Sequence, residues 1–194
     1  SAGGIQFNFF KDFAFATFGE QFADNIVGTS GNDEITGTNN DDVIIGLSGA
    51  DTIFGLAGDD TLDGGSGIDT IFGGEGSDTI TFLKSNAAIA LDMTIGVGGT
   101  SGELDNFSGI ENVIGTFFSD SITGDDNANI INGSSGSDTI FSGGGNDILI
   151  GGTGSDLLDG GTGVDTVNYA SEGSVSANLT TGLGLLNGEI DTLQ

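Results

Sequence analysis

Aspartate recurs along this chain at intervals of nine residues. Thirteen nine-residue units form two uninterrupted series, residues 19–81 and 115–168, and position 6 of the unit is Asp in all but one of them, where Asn129 stands instead. Positions 1 to 5 are mostly Gly and small polar residues, which are typical of tight turns. Carboxylates held in turns beside backbone carbonyls form the all-oxygen environment that Ca²⁺ prefers. The spacing therefore predicts calcium binding in the turns.

Position 8 of every unit is Ile, Leu or Val. Because successive side chains of a strand point to opposite faces, we expect position 8 to face inward while positions 7 and 9 face outward. Each unit is then a turn followed by a short strand, and two units complete one coil. The predicted fold is all-β: a parallel β-roll solenoid in two runs, with two nonapeptides per coil and with intervening and capping β-hairpin segments.

Stacked coils place the turn of one unit beside the turn two units later, about 4.8 Å away. Asp42 then neighbours Asp60, while Asp33 neighbours Asp51 on the opposite edge. We therefore expect ions between units two apart and not between units adjacent in sequence. The candidate pairs are Asp24/Asp42, Asp42/Asp60, Asp60/Asp78, Asp33/Asp51, Asp51/Asp69, Asp120/Asp138, Asp138/Asp156, Asn129/Asp147 and Asp147/Asp165.

The units match the pattern G-G-x-G-x-D-x-U-x, and the chain thereby resembles the RTX (repeats-in-toxin) calcium-binding proteins over about two thirds of its length. The resemblance implies that backbone carbonyls at positions 2 and 4 join the position-6 side chain as calcium ligands. The expected metal ligands are Asp24, Thr29, Gly31, Asp33, Thr38, Asn40, Asp42, Leu47, Gly49, Asp51, Leu56, Gly58, Asp60, Gly65, Gly67, Asp69, Gly74, Gly76, Asp78, Asp120, Asn129, Ser134, Gly136, Asp138, Gly143, Gly145, Asp147, Gly152, Gly154, Asp156, Gly161, Gly163 and Asp165.

The units are not uniform, and we expect their calcium affinity to differ. Four units lack Gly at position 4, and a bulky residue there should resist a tight turn. Asn129 also removes one negative charge, and ligand charge tunes calcium affinity. We expect the weakest sites at Asp24, Asp120 and Asn129. The sites expected to fill first are those around Asp60, Asp69, Asp147 and Asp156.

The charge balance limits the partners. The chain has 29 acidic and 2 basic residues and a formal charge of −27. Nucleic acid is excluded as a partner because phosphate binding needs clustered Lys and Arg, and docking on anionic lipid is disfavoured. We expect no direct membrane insertion, since no stretch of 18 apolar residues exists. Calcium ions are the expected partners; self-assembly and contacts with neighbouring domains of a longer chain stay open.

The arrangement of the units suggests five segments. We expect residues 1–18 to end a preceding capping or lead-in segment, residues 19–81 to form the first roll, residues 82–114 to interrupt it as a β-hairpin, residues 115–168 to form the second roll, and residues 169–194 to begin a second hairpin segment. The Phe-rich stretch 7–18 favours a cap over the open end of the roll, with a partner-binding surface as the alternative. We interpret the chain as an excerpt from a longer array.

These features favour a structural function over a catalytic one. The chain has no His, and no nucleophile–base pair is evident, so we expect that it is not an enzyme. The resemblance implies a calcium-binding segment of a secreted or cell-surface bacterial protein (matrix, S-layer or adhesin-like) that folds on calcium binding after type I export. The alternative is an accessory region of a secreted enzyme or toxin whose catalytic domain lies outside this chain.

Overall fold

The computed structural model describes residues 25–168 and two further strands, Val175–Asn178 and Leu185–Leu186. The secondary-structure elements of this described part are all β-strands, in agreement with the predicted all-β class. No helix long and apolar enough to cross a membrane occurs among these residues. Asp24, the expected cap at residues 1–18 and most of segment 169–194 lie outside the described residues.

The strands form two sheets, and the first contains the odd-numbered strands apart from β9. Its strands, in spatial order, are β1 (Asn25–Val27), β3 (Val43–Ile45), β5 (Thr61–Asp63), β7 (Thr79–Thr81), β11 (Asn112–Ile114), β13 (Ile130–Asn132), β15 (Ile148–Ile150), β17 (Thr166–Val167) and β19 (Leu185–Leu186). All neighbours in this first sheet pair in parallel.

The second sheet contains the remaining strands. In spatial order they are β2 (Glu34–Thr36), β4 (Thr52–Ala57), β6 (Thr70–Glu75), β10 (Glu103–Ser108), β9 (Val97–Thr100), β8 (Ala90–Asp92), β12 (Ser121–Thr123), β14 (Thr139–Phe141), β16 (Asp156–Asp159) and β18 (Val175–Asn178). Consecutive units thus alternate between the sheets, and two units complete one coil. This arrangement confirms the predicted parallel β-roll.

The register of the sheets follows the nine-residue period. Within the repeat units, each strand pairs with the strand 18 residues later, so that Ile35 lies beside Ile53 and Ile53 beside Ile71. Equivalent positions therefore stack directly over one another, and the turns that precede the strands stack in the same way.

Residues 82–114 enter both sheets. In the second sheet β8, β9 and β10 form an antiparallel meander, whose outer strands pair in parallel with β12 and β6. In the first sheet β11 lies between β7 and β13 and is parallel to both. Both sheets therefore continue from the first series of units into the second. The division of the chain into five segments stays a prediction.

The core is a ladder of position-8 side chains between the two sheets. From Ile35 to Val167 these side chains are at most 8% exposed, and most are completely buried. Residues of the inserted segment continue the ladder, since Leu91, Phe107 and Val113 are also buried. Ile95 does not join the core and is 70% exposed, because the chain turns at Gly96, whose φ is +65°. Within the described repeat units, the core thus consists of one row of position-8 side chains from each sheet.

We expect Ile53→Ala to destabilise the calcium-loaded chain by about 2–5 kcal/mol, because Ile53 is completely buried between Ile35 and Ile71 and its loss leaves a cavity. Ile68→Ala is the matched control, since Ile68 is 54% exposed and its loss should change stability by less than about 0.5 kcal/mol. Urea unfolding in saturating calcium measures both, and equal losses would contradict a core restricted to position 8.

Candidate calcium sites

The position-6 carboxylates form ladders along both edges of the roll. The backbone N–H of Asp33 donates to Oδ1 of Asp51 at 2.8 Å, and the N–H of Asp51 donates to Oδ1 of Asp69 at 2.8 Å. Bonds of 2.8–3.0 Å join the pairs Asp42/Asp60, Asp60/Asp78, Asp120/Asp138, Asn129/Asp147, Asp138/Asp156 and Asp147/Asp165 in the same way. The structure thus brings together the side chains two units apart. We call the gap between two such turns a slot.

Eight turns share an unusual backbone conformation, with positive φ at both position 2 and position 4; we call them left-handed turns. Such a φ is uncommon for residues other than Gly, yet Leu47, Leu56 and Ser134 adopt it at position 2. The eight pairs of positions 2 and 4 are Leu47/Gly49, Leu56/Gly58, Gly65/Gly67, Gly74/Gly76, Ser134/Gly136, Gly143/Gly145, Gly152/Gly154 and Gly161/Gly163.

Each left-handed turn holds a buried carboxylate oxygen that has no hydrogen-bond partner. The oxygen is Oδ2 of the position-6 aspartate, and these side chains are at most 2% exposed. The eight aspartates are Asp51, Asp60, Asp69, Asp78, Asp138, Asp147, Asp156 and Asp165, one for every left-handed turn. Burying a charged oxygen without a partner is costly, so these turns are built for a cation.

Three other turns supply hydrogen-bond donors to their own carboxylate; we call them threonine turns. Their position-2 residues are Thr29, Thr38 and Thr116, whose backbone N–H donates to Oδ2 of the position-6 aspartate at 2.6 Å. The threonine hydroxyl donates to the same carboxylate. The branched side chain disfavours positive φ, and even Gly31 at position 4 does not adopt it there. The sequence indicated only carbonyl ligation at Thr29 and Thr38, and missed this role of the side chain.

The unit with Asn129 is a fourth exception. Its Oδ1 accepts a hydrogen bond from the Asp125 N–H at 3.1 Å, while its Nδ2 donates to the Glu111 carbonyl at 3.0 Å. The amide is therefore satisfied without an ion.

Backbone carbonyls of positions 2 and 4 face the next turn on the same edge. A Cβ placed on Gly74 would collide with the Leu56 carbonyl oxygen, and one placed on Gly76 would collide with the Gly58 carbonyl oxygen. The carbonyls of the earlier turn therefore point across the slot. Where the earlier turn is itself left-handed, a side chain would not fit opposite these carbonyls, which explains why glycine occupies positions 2 and 4 of the later turn.

The carbonyl of position 1 faces the slot from the other side. A Cβ on Gly55 would lie 2.5 Å from the Gly73 carbonyl oxygen and would collide with Oδ2 of Asp60. The unpaired carboxylate oxygen and the Gly73 carbonyl thus converge on one place. Position-1 carbonyls are absent from the ligand set expected from the sequence, in which positions 2 and 4 alone contributed backbone carbonyls.

The resulting oxygen set fits calcium. Each slot between two left-handed turns is lined by carboxylates and by carbonyls of positions 1, 2 and 4, and Ca²⁺ takes 6–8 such ligands in flexible geometry. In the described part of the chain, no three side chains of His, Cys, Asp or Glu converge on one metal position, so carbonyls must complete any site. The arrangement can hold hard cations and tie one turn to the next.

Four slots in the described residues lie between two left-handed turns: Asp51/Asp69, Asp60/Asp78, Asp138/Asp156 and Asp147/Asp165. In the slots Asp33/Asp51, Asp42/Asp60, Asp120/Asp138 and Asn129/Asp147, the earlier turn is already satisfied. The slot Asp24/Asp42 lies outside the described residues. The order in which calcium fills the slots stays a prediction. From the geometry, we expect the slots that contain Asp33 and Asp42 to be weak as well.

Two acidic residues outside the repeat units extend the ladders. The N–H of Asp69 donates to Oδ1 of Asp105 at 2.8 Å, and the N–H of Asp78 donates to Oε2 of Glu111 at 2.9 Å. Sequence reasoning missed both residues because the glycine pattern is lost in this segment. A signal was present, since each acid stands two positions before a core residue, Phe107 or Val113, as position 6 stands before position 8.

The electrostatic environment of the ladders disfavours their charged form. Burial, with neighbouring carboxylates adding to it, raises the pKa of Asp60 to about 6 and the pKa of Asp138 and Asp105 to about 7. Of the two basic residues, Lys84 pairs with Asp63 at 3.1 Å and Lys11 lies outside the described residues. Among the described residues, no ion pair with a basic side chain compensates the ladder carboxylates.

The comparisons with known proteins agree with this geometry. The sequence model of the RTX calcium-binding nonapeptide repeat matches four times, at residues 18–53, 54–82, 105–140 and 141–171. A search of curated proteins finds no significant match. The matched repeats cover more than half of the chain, and the chain belongs to the family of RTX calcium-binding nonapeptide repeats. The cofactor of these repeats is Ca²⁺, and the β-roll that they form is a structural calcium-binding domain.

We expect Thr29→Gly to create an additional calcium site in the slot Asp33/Asp51. The substitution removes the hydroxyl donor to Asp33. It also allows positive φ at position 2, the conformation in which the backbone N–H of position 2 does not bond to Oδ2 of the aspartate. Thr29→Ala is the control, because it removes the hydroxyl while its Cβ still opposes positive φ. Flow dialysis with radioactive calcium should find one more bound ion in Thr29→Gly than in the wild type or Thr29→Ala. Equal stoichiometry in all three chains would contradict this account of position 2.

Acid should stabilise the roll when calcium is absent. The pKa of Asp60 and Asp138 is raised in the folded chain from an ordinary value of 3.8, so folding takes up protons. This contribution to stability is complete below about pH 3.8 and is lost as the pH rises through about 6 to 7. We expect the β-sheet circular dichroism of the metal-free chain to increase when the pH is lowered from about 8 to 4.

Saturating calcium should reverse this dependence, because the ion binds deprotonated carboxylates and competes with protons. Thermal midpoints in excess calcium should therefore fall over the same acidification. A metal-free chain that loses β-structure steadily between about pH 7 and 4 would contradict the burial of uncompensated carboxylates.

Proposed function

We propose that this chain is a calcium-folded structural segment of a secreted or cell-surface bacterial protein of the matrix, S-layer or adhesin-like kind. One observation carries the proposal: the eight left-handed turns and the eight unpaired buried carboxylate oxygens are the same eight units. At neutral pH, a fold that buries so many acceptors without donors is stable only when a cation occupies the turns. This requirement supports the calcium dependence of the proposed function.

Calcium concentration then acts as the signal for folding. At a formal charge of −27, the chain repels itself, and the thin core compensates only in part. The submicromolar calcium of a bacterial cytosol leaves the chain unfolded, which suits the type I export that is typical of RTX proteins. Millimolar calcium outside the cell binds the folded chain, stabilises it over the unfolded chain and so folds the roll after export.

The segment acts without chemistry of its own. The groups in the slots are carboxylates and carbonyls, which bind cations. They do not include a nucleophile with a neighbouring base. The folded segment is a rigid, extended spacer whose length is set by the number of units. Its partners are calcium ions and neighbouring domains of the same protein.

Chelation and calcium addition test this function. Circular dichroism in excess chelator at about pH 7.5 should show a largely disordered chain, and millimolar Ca²⁺ should restore the β-sheet signal, since binding and folding are one event. Magnesium at the same concentration is the control and should restore much less, because it dehydrates reluctantly and demands strict octahedral geometry. Full β-structure in chelator would refute the proposal.

A further inference from the structure

The carboxylate ladder of the first sheet does not end at the last unit of the first series. After Asp78 it continues with Glu111, whose Oε2 accepts a hydrogen bond from the Asp78 N–H at 2.9 Å. Residues 106–114 occupy the frame of a further nine-residue unit directly before Gly115. In that frame Gly109 stands at position 4, Glu111 at position 6 and Val113 at position 8.

The turn facing this segment is left-handed and holds an unpaired oxygen. Gly74 and Gly76 have positive φ, and Oδ2 of Asp78 has no hydrogen-bond partner although the side chain is completely buried. A Cβ on Gly73 would lie 2.5 Å from this oxygen and would collide with the Gly109 carbonyl oxygen. The carboxylate oxygen and the Gly109 carbonyl therefore converge on one place.

A regular slot has the same arrangement. At Gly55 the neighbouring atoms are Oδ2 of Asp60 and the carbonyl oxygen of Gly73. Gly109 thus supplies the carbonyl that position 1 of the next turn supplies elsewhere, and Glu111 supplies the carboxylate that position 6 supplies. The segment reproduces the far side of a slot although it lacks the glycine pattern.

Hydrogen bonds hold the segment on both sides. The N–H groups of Glu111 and Asn112 donate to the Asp78 carbonyl at 3.1 and 2.9 Å, and Asn112 Nδ2 donates to Ser77 Oγ at 2.9 Å. On the opposite side, Asn129 Nδ2 donates to the Glu111 carbonyl at 3.0 Å. The backbone of Glu111 is therefore anchored beside Asp78 independently of its carboxylate.

We propose that a calcium ion binds between turn 73–78 and residues 109–111, with Asp78 and Glu111 as carboxylate ligands and the Gly109 carbonyl as a third ligand. This inference rests on the proposed calcium binding of the regular slots. The junction site ties the last turn of the first series to strand β11, which lies between β7 and β13. The ion thereby couples the calcium-dependent folding of the first series of units to that of the second.

The test compares Glu111→Gln with Glu75→Gln in the full chain. Glu75 is exposed at position 3 of the same left-handed turn, so its substitution removes an equal charge close to the site without touching the ladder. Competition with a chromophoric calcium chelator measures the number and affinity of bound ions. Glu111→Gln should bind one ion fewer, or bind one ion at least about ten-fold more weakly, because ligand charge tunes affinity. Glu75→Gln should match the wild type.

Asp78→Asn and the double variant Asp78→Asn/Glu111→Gln show whether the two carboxylates share an ion. A shared ion is lost once, so adding Glu111→Gln to Asp78→Asn should remove no further ion. Additive losses would overturn the junction site. Equal binding by Glu111→Gln and Glu75→Gln would overturn it as well, while leaving the regular slots intact. A wild-type chain that binds no calcium would refute the proposed function itself.

Crystals of the wild-type chain grown in calcium decide the matter if Glu111→Gln does not fold. An anomalous difference peak between Asp78 and Glu111 would support the site. A filled Asp60/Asp78 slot next to an empty junction would overturn it.

Discussion

The structure depends on a carboxylate oxygen that is buried in each left-handed turn without a hydrogen-bond donor. The groups that surround it across the slot are carbonyl oxygens, which are also acceptors. Such a cluster is unfavourable alone and favourable around a divalent cation, because the ion repays the desolvation of all its ligands together. The same cation also relieves the repulsion between carboxylates stacked two units apart. The strands, the core and the register of the sheets place the turns so that these oxygens converge.

The roll is quasi-one-dimensional, since each coil contacts only its neighbours. An ion in a slot therefore stabilises one interface between coils and leaves distant interfaces unaffected. Residues 82–114 add strands to both sheets, so the two series of units are connected by continuous β-pairing. Threonine turns begin each series in the described residues, with Thr29 and Thr38 in the first and Thr116 in the second. A series can thus start on turns that satisfy their own carboxylates and continue on turns that leave one carboxylate oxygen unpaired.

Much of this was predictable from the sequence, because a nine-residue period leaves few alternatives. Position 8 was expected inside the roll, and Ile53 and its equivalents are buried there; pairing two units apart was expected, and the bond from Asp33 to Asp51 shows it. The conformation of position 2 was not predictable from spacing, because Leu47 adopts positive φ whereas Thr29 bonds to its own aspartate. Glu111 was missed because the segment around it keeps the acid and the apolar residue of the motif but loses most of its glycines.

Amide hydrogen exchange tests the central claim most directly, namely that cations in the slots hold the ladders together. The N–H groups of Asp51 and Asp60 donate to the carboxylates of the next turns, and their exchange reports each ladder separately. In millimolar calcium we expect both amides to be strongly protected, and in excess chelator we expect protection to disappear throughout both series. Protection of these amides that persists unchanged in chelator would contradict the account, because it would mean that the buried carboxylates need no cation.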